Sequence, residues 1–353
     1  MHKDDQMTPK ERAFALFAKK PVDRMPIKIF SPYIGMNFGV SYDEAFNDAR
    51  SRAHWLIEGY RRFGQDGLSV NYRLDGIPVA FDAASTYDPT GIPIVKNPVI
   101  KDLTDISELD LTKLRFENDR NAQIAFDAVQ IIQEELQDEV FTGVGFMGPF
   151  TTAANLAGTT KILKAMRKDP ENLHRLLDFA AEATIEVGRK FVENQIGIGL
   201  AEPTASLLSP GQFREFVIPY YKKVMDQWKE WGSRGAGFHI CGDTTKLLET
   251  FPEMGIRGVS IDSAVDIGFA KETVGDKMSI MGNVSPIEIL EGTPDSIQAA
   301  VIDCFRKCWD NPCGFTIAPG CDIPVQAPLE NIDAYMKAAR MCAKYPVQPS
   351  NWE

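Results

Sequence analysis

Short apolar runs recur along this chain, each followed by a longer stretch with the period of an amphipathic helix. That alternation constrains the fold more than any other feature. The runs span 25–30, 67–72, 140–146, 197–201, 236–240, 258–261, 279–281 and 314–318. Most are rich in Val, Ile or Phe without strict alternation, the pattern of parallel strands covered on both faces. Between them, Ser41-Tyr42-Asp43-Glu44 has the spacing of a capping box and predicts a helix running to about Arg62. The other long helices are expected over 118–137, 170–194, 212–231, 295–310 and 329–344. Eight strands alternating with helices predict an α/β fold, a single (β/α)8 TIM barrel in preference to an open doubly wound sheet. The stretch 73–114, rich in Pro, Gly and Asp, reads as an insertion over the barrel mouth. No linker divides the remainder, so residues 1–353 are expected to form one domain.

Composition narrows the partners. With 353 residues, 44% of them hydrophobic and 25% charged, the chain can bury a sizeable core. A formal net charge of −11 argues against an extended nucleic-acid or anionic-membrane surface. No apolar run reaches the roughly 18 residues needed to span a bilayer. The start, Met1-His2-Lys3-Asp4-Asp5-Gln6, has no apolar segment behind its charges, and the six cysteines form no disulfide-dense pattern. A cytoplasmic protein with reduced thiols is therefore expected.

In a barrel of this kind the reactive side chains stand at the C-terminal ends of the strands. Those ends supply Glu202, His239, Cys241, Asp262, Asn283 and Cys321. His239 and Cys241 are two apart in Gly237-Phe238-His239-Ile240-Cys241-Gly242, so both point to one face. Cys321 follows the last strand in Ala318-Pro319-Gly320-Cys321-Asp322. Two thiolates and an imidazole suit zinc, and three protein ligands leave the fourth position of a catalytic site open. Glu202 offers a displaceable fourth ligand or a base beside the metal. The bland alternative is that these are small buried residues at strand ends. Asp262 and Asn283 either line the pocket or satisfy buried backbone. Cys304 and Cys308, one helical turn apart beside Val301 and Phe305, read as core.

At these residues the sequence resembles the uroporphyrinogen decarboxylase superfamily, and within it the corrinoid-dependent methyltransferase branch. The resemblance rests on Gly148-Pro149-Phe150-Thr151, Glu202-Pro203-Thr204-Ala205-Ser206, and Ser209-Pro210 with Phe213, Phe216, Pro219 and Tyr220. It continues through His239-Ile240-Cys241-Gly242-Asp243-Thr244, Gly282-Asn283-Val284-Ser285-Pro286 and Pro319-Gly320-Cys321-Asp322. It implies a uroporphyrinogen decarboxylase-like barrel from about Thr8 to Lys344. The His-x-Cys with a late Gly-Cys is similar to the zinc site of methylcobamide:coenzyme M methyltransferases. The decarboxylases carry an arginine-containing stretch after the first strand that holds substrate carboxylates. Here that region is Phe30-Ser31-Pro32-Tyr33-Ile34-Gly35-Met36, without arginine, and their second-strand aspartate is replaced by Asn71-Tyr72-Arg73.

The resemblance implies a zinc-dependent methyltransferase acting with a corrinoid (cobalamin) supplied by a partner protein. A thiolate-rich zinc site keeps a bound thiol ionised, and that thiolate takes the methyl group from methyl-cobalt(III). Phe146, Met147 and Phe150 either receive the corrin face at the mouth or belong to the core. Tyr72, with Phe30, Tyr33 and Phe38, suits either an aryl substrate or the core. Three other readings stay open. Methyl transfer from a methoxylated aromatic or methylamine to cob(I)alamin is one, decarboxylation another, and a non-catalytic corrinoid-binding scaffold the third.

Overall fold

Seven of the eight apolar runs become strands of one parallel sheet. The computed structural model describes residues 2–30, 37–87, 93–137 and 139–352. Its strands in chain order are β1 (Leu68–Asn71), β2 (Ala84–Tyr87), β3 (Pro93–Asn97), β4 (Thr142–Met147), β5 (Gly197–Ala201), β6 (Ala236–Ile240), β7 (Gly258–Ile261), β8 (Ser279–Val284) and β9 (Phe315–Pro319). The helices are α1 (Pro9–Phe17), α2 (Tyr42–Asn47), α3 (Ala49–Phe63), α4 (Gly76–Ala80), α5 (Arg120–Glu135), α6 (Pro149–Ala157) and α7 (Thr159–Lys168). They continue as α8 (Pro170–Glu193), α9 (Pro210–Phe216), α10 (Ile218–Glu230), α11 (Ile267–Val274), α12 (Pro286–Glu291), α13 (Pro294–Cys308) and α14 (Leu329–Ala343). The main sheet runs β1-β4-β5-β6-β7-β8-β9, parallel at every step, while β2 and β3 form a separate antiparallel hairpin.

The run 25–30 is not a regular strand, which corrects the expectation. Pro26 has no N–H, and the Ile27 N–H is taken by the Asp66 carboxylate at 2.8 Å instead of a neighbouring strand. The run still fills the eighth place. Lys28 N–H donates to Ile317 O in β9 at 2.9 Å, and Ile27 O accepts from Asp66 N–H, just ahead of β1, at 2.8 Å. The curled sheet is thereby joined end to end, as a TIM barrel requires.

Two predicted helices are each divided. The capping box at Ser41 forms, but the helix stops at Asp48, whose extended backbone and Ser51-bound carboxylate start α3 afresh. The 212–231 helix breaks at Val217, ahead of Pro219, which has no N–H to carry the helical ladder through.

The core lies between sheet and helices. Phe146 of β4 packs on Phe191 of α8 and Trp228 of α10, with ring centroids 5.5 and 6.2 Å apart. Phe238 of β6 meets Tyr221 and Phe251, and Phe315 of β9 meets Phe305. These contacts put one set of alternating strand residues outward. The intervening set, including His239, faces the barrel axis. The 73–114 segment holds α4, the β2–β3 hairpin and two short 3₁₀ turns, and both turns pack against α8. Among the described residues no helix is long and apolar enough to cross a membrane.

Candidate metal centre

β6 delivers His239 and Cys241 to the barrel axis at its C-terminal end, as their two-residue spacing predicted. Cys321 arrives from the turn after β9. Gly320 allows that turn, since a Cβ there would stand 2.3 Å from the Ser263 backbone nitrogen. His239 Nε2 lies 3.1 Å from Cys241 Sγ, and Cys241 Sγ lies 3.4 Å from Cys321 Sγ. All three donor atoms fall within 4.8 Å of one another. Tetrahedral bonds of about 2.0 Å to nitrogen and 2.3 Å to sulfur would separate such donors by roughly 3.5–3.8 Å. The His239–Cys241 and Cys241–Cys321 separations are only a few tenths of an ångström tighter, so small rotamer shifts would accommodate an ion.

The other ring nitrogen is also held. Strand register places Ser260 of β7 beside His239, and Ser260 Oγ is 3.0 Å from His239 Nδ1. That contact orients the ring so that Nε2 meets the sulfurs. The hydrogen bond from Cys241 brings Cys321 down to about 5 against burial, with His239 adding to the effect. The same bond, with burial, pushes Cys241 far up. Burial opposes the His239 imidazolium, but Cys321, Asp322 and Asp262 together raise it above its usual range. Loss of a proton is thus favoured at Cys321, and a cation would take the place of that proton.

Glu202 stands apart from this group. Its carboxylate accepts the backbone N–H groups of Phe150 at 3.0 Å and Thr151 at 2.8 Å, at the start of α6. Gly148, the N-cap residue, has no side chain, so the helix is capped by an acid from another strand. A Cβ on Gly148 would lie 2.3 Å from Glu202 Oε1, so only glycine lets the carboxylate approach. Burial pushes Glu202 up to about 7 despite these bonds. Glu202 thus caps a helix terminus and lies outside the group in which the donor atoms of His239, Cys241 and Cys321 converge.

The remaining predicted residues divide. Asp262 accepts from Gly242 N–H and Ala264 N–H, both at 2.9 Å, and Asn283 donates to Asp262 O at 3.0 Å and Val265 O at 2.7 Å. Both side chains thus satisfy backbone at the strand ends. Tyr72 is 1% exposed, packs on Phe146 and donates to Asp119, the N-cap of α5. Phe146 and Phe150 are equally buried. These three belong to the core and not to the mouth, because their side chains lie on the helix side of the strands or under α6. Met147 alternates inward, in register with Ala201, itself beside His239. Phe30 approaches the His239, Cys241 and Cys321 group, its ring 5.9 Å from that of His239. Tyr33 and the arginine-free segment 31–36 lie outside the described residues.

Sequence reasoning missed two residues. Ser260 is visible only once register is known. Asp322, next to Cys321, was part of the motif without a role, yet burial and the neighbouring Cys321 push it up to about 7.

The model of the family described as Uroporphyrinogen decarboxylase (URO-D) matches residues 8–342. A methylcobamide:CoM methyltransferase, MtbA, of Methanosarcina acetivorans is 30% identical, covering 95% of this chain and 98% of its own. A uroporphyrinogen decarboxylase of Trichodesmium erythraeum is 26% identical over 80% of each chain. Among solved structures, a methyltransferase from Methanosarcina mazei superposes with a TM-score of 0.80 at 25% identity, covering 95% of this chain and 98% of that one. The superposition extends over nearly the whole of both chains, and the chain belongs to the uroporphyrinogen decarboxylase family.

Proposed function

We propose that this protein is a zinc-dependent methyltransferase. It moves a methyl group between the cobalamin of a partner corrinoid protein and a small thiol. The convergence of His239 Nε2, Cys241 Sγ and Cys321 Sγ within 4.8 Å carries the reading. The 30% identity with a methylcobamide:CoM methyltransferase over nearly the full length of both chains supports it. In the overall reaction the thiol gives up its proton, its sulfur gains the methyl group, and cobalt keeps the electron pair of the broken carbon–cobalt bond. Zinc at this site supplies a Lewis acid that keeps the thiol ionised at neutral pH.

The chain's own residues do the rest. His239, Cys241 and Cys321 hold the ion, and two sulfur donors place negative charge next to the nucleophile. Ser260 fixes the imidazole. Glu202 anchors α6 beneath the site and, when released from the Phe150 and Thr151 amides, can guard the open position. Leu207, Phe269 and Ile287, 58%, 46% and 55% exposed, stand on the segments just after β5, β7 and β8. They offer an apolar rim on which the partner corrinoid protein seats.

Metal analysis of protein purified without a metal-binding tag tests the reading. About one zinc per chain is expected in the wild type and little in Cys241→Ala. Methylcobalamin consumption with a panel of thiols then tests the transfer. Wild-type protein without zinc, never exposed to chelator, would overturn the proposal.

A further inference from the structure

The barrel interior beneath the metal centre is missing side chains on one wall. Gly143 of β4 is in register with Gly197 of β5, and Gly145 with Gly199 and, through it, Gly237 of β6. These glycines alternate with Val144, Phe146, Ile198, Leu200 and Phe238, which are buried, so the glycines face the axis. A TIM barrel normally fills that space with layers of side chains. Here a Cβ at Gly199 would meet only the Gly237 oxygen, 3.9 Å away, and one at Gly237 only the Gly199 Cα, 4.0 Å away. One at Gly145 would meet only Ser69 Oγ, 3.6 Å away, whereas one at Gly143 would stand 2.7 Å from the Gly197 oxygen, so the open part of the wall is Gly145, Gly197, Gly199 and Gly237. Gly197 and Gly237, near the starts of their strands, are exposed, so the hollow opens at the N-terminal end of the barrel.

Lys28 belongs to the same interior. It is two residues from Phe30, whose ring lies near His239, while Ile27, the residue before it, is fully buried. Lys28 is half-buried. The ammonium makes no hydrogen bond or ion pair among the described residues. Gly67 makes room for it, since a Cβ there would stand 2.2 Å from Nζ. Burial lowers the Lys28 pKa, and only Asp66 acts against this. The Asp66 carboxylate is already taken by Arg12, Arg24 and the Ile27 N–H. A half-buried cation without a protein partner is a place where a small mobile anion can dock.

We propose that the lower barrel is a binding site for a small oxyanion of carboxylate size, centred on Lys28 Nζ and bounded by the glycine wall. Such an anion arrives as a free ion through the N-terminal opening, or as the charged end of an acceptor thiol whose sulfur lies at His239, Cys241 and Cys321. The second source rests on the proposed methyl transfer, and the first does not.

Saturation-transfer NMR of acetate with the full-length, zinc-loaded protein tests the site. A saturable signal is expected with wild type and its loss with Lys28→Met and Lys28→Gln, each shown by circular dichroism to be folded. Acetate signal that persists in both variants, or none with wild type, overturns the proposal. Lys28→Met should also melt higher than wild type in anion-poor buffer, and a folded variant that melts lower would count against an unpaired ammonium. Cys241→Ala separates the two readings: acetate bound without zinc keeps the anion site even if methyl transfer fails. Displacement of acetate by 3-mercaptopropionate that weakens in Cys241→Ala assigns the site to the acceptor's charged end, and unchanged displacement assigns it to a free ion.

Discussion

Gly148 and Ser260 touch no reacting atom by themselves, yet each sets where a functional side chain can be. Gly148 has an ordinary negative φ, so its requirement is one of space. In Gly148→Ala the new methyl meets the Glu202 carboxylate, which must leave one or both α6 amides. The expected loss is about 1–3 kcal/mol of stability, read from the urea midpoint, because a buried acceptor and its donors are separated. Glu202→Gln keeps the volume and one acceptor oxygen, so it should lose less; the reverse order would mean that charge and not fit holds the helix start. Ser260→Ala removes only the Nδ1 contact at 3.0 Å. Chelator competition should show zinc affinity down by about 10- to 100-fold, with the fold intact. Unchanged affinity would leave ring orientation to Phe30 and the strand itself.

The strand–helix alternation was legible because parallel strands buried on both faces leave a dense apolar signature. Phe146 shows how far that signature goes. It identifies a buried strand, but not which face looks toward helices and which toward the axis. Contacts with Phe191 and Trp228 decide that, and they come from α8 and α10, far along the chain. Phe146→Ala should therefore cost about 3–5 kcal/mol in denaturant unfolding, the range for truncating a buried aromatic, while zinc content stays at the wild-type level. Stability near wild type with impaired corrinoid use would return Phe146 to the mouth. The His239–Cys241 spacing was readable for the opposite reason, since two residues apart on one strand share a face whatever surrounds them. Glu202 was placed correctly at a strand end, but its partner, the start of α6, is a tertiary contact. The 25–30 run was misjudged as a regular strand because the Asp66 carboxylate that takes its N–H lies about forty residues on. Gly143-Val144-Gly145-Phe146-Met147-Gly148 has the spacing of a dinucleotide-binding turn, but most of it lies inside β4, where its glycines shape the barrel wall.

Closure of the barrel depends on charges gathered around the irregular first run. Arg12 of α1 pairs with Asp23 at 2.7 Å and with Asp66, while Arg24 pairs with Asp5 at 2.7 Å and with Asp66 at 2.5 Å. All five side chains are 8% exposed or less. The N-terminal segment, the first run and the start of β1 are thus locked by one buried network, where removing one partner strands another. Burial opposes the charged form of Asp5 and Asp23, but Arg24 for the first and Arg12 for the second hold both below the usual aspartate range. Because the folded-state values are depressed, the folded protein binds fewer protons than the unfolded chain in that interval. The stabilisation is complete above the ordinary aspartate value of about 4 and is lost as pH falls below it. Asp23→Asn leaves Arg12 short of one charge and should cost about 3–5 kcal/mol at neutral pH. The same substitution removes one acid-titrating group, so the variant's stability should fall less steeply than wild type between about pH 4 and the acid end. Urea unfolding at neutral pH and at successively lower pH reads both effects. If the variant is weaker at neutral pH but its acid limb runs parallel to wild type, Asp23 contributes shape and hydrogen bonding to the network without contributing its acid sensitivity. If the two curves converge at low pH, the charge on Asp23 is what keeps the first run seated in the eighth place.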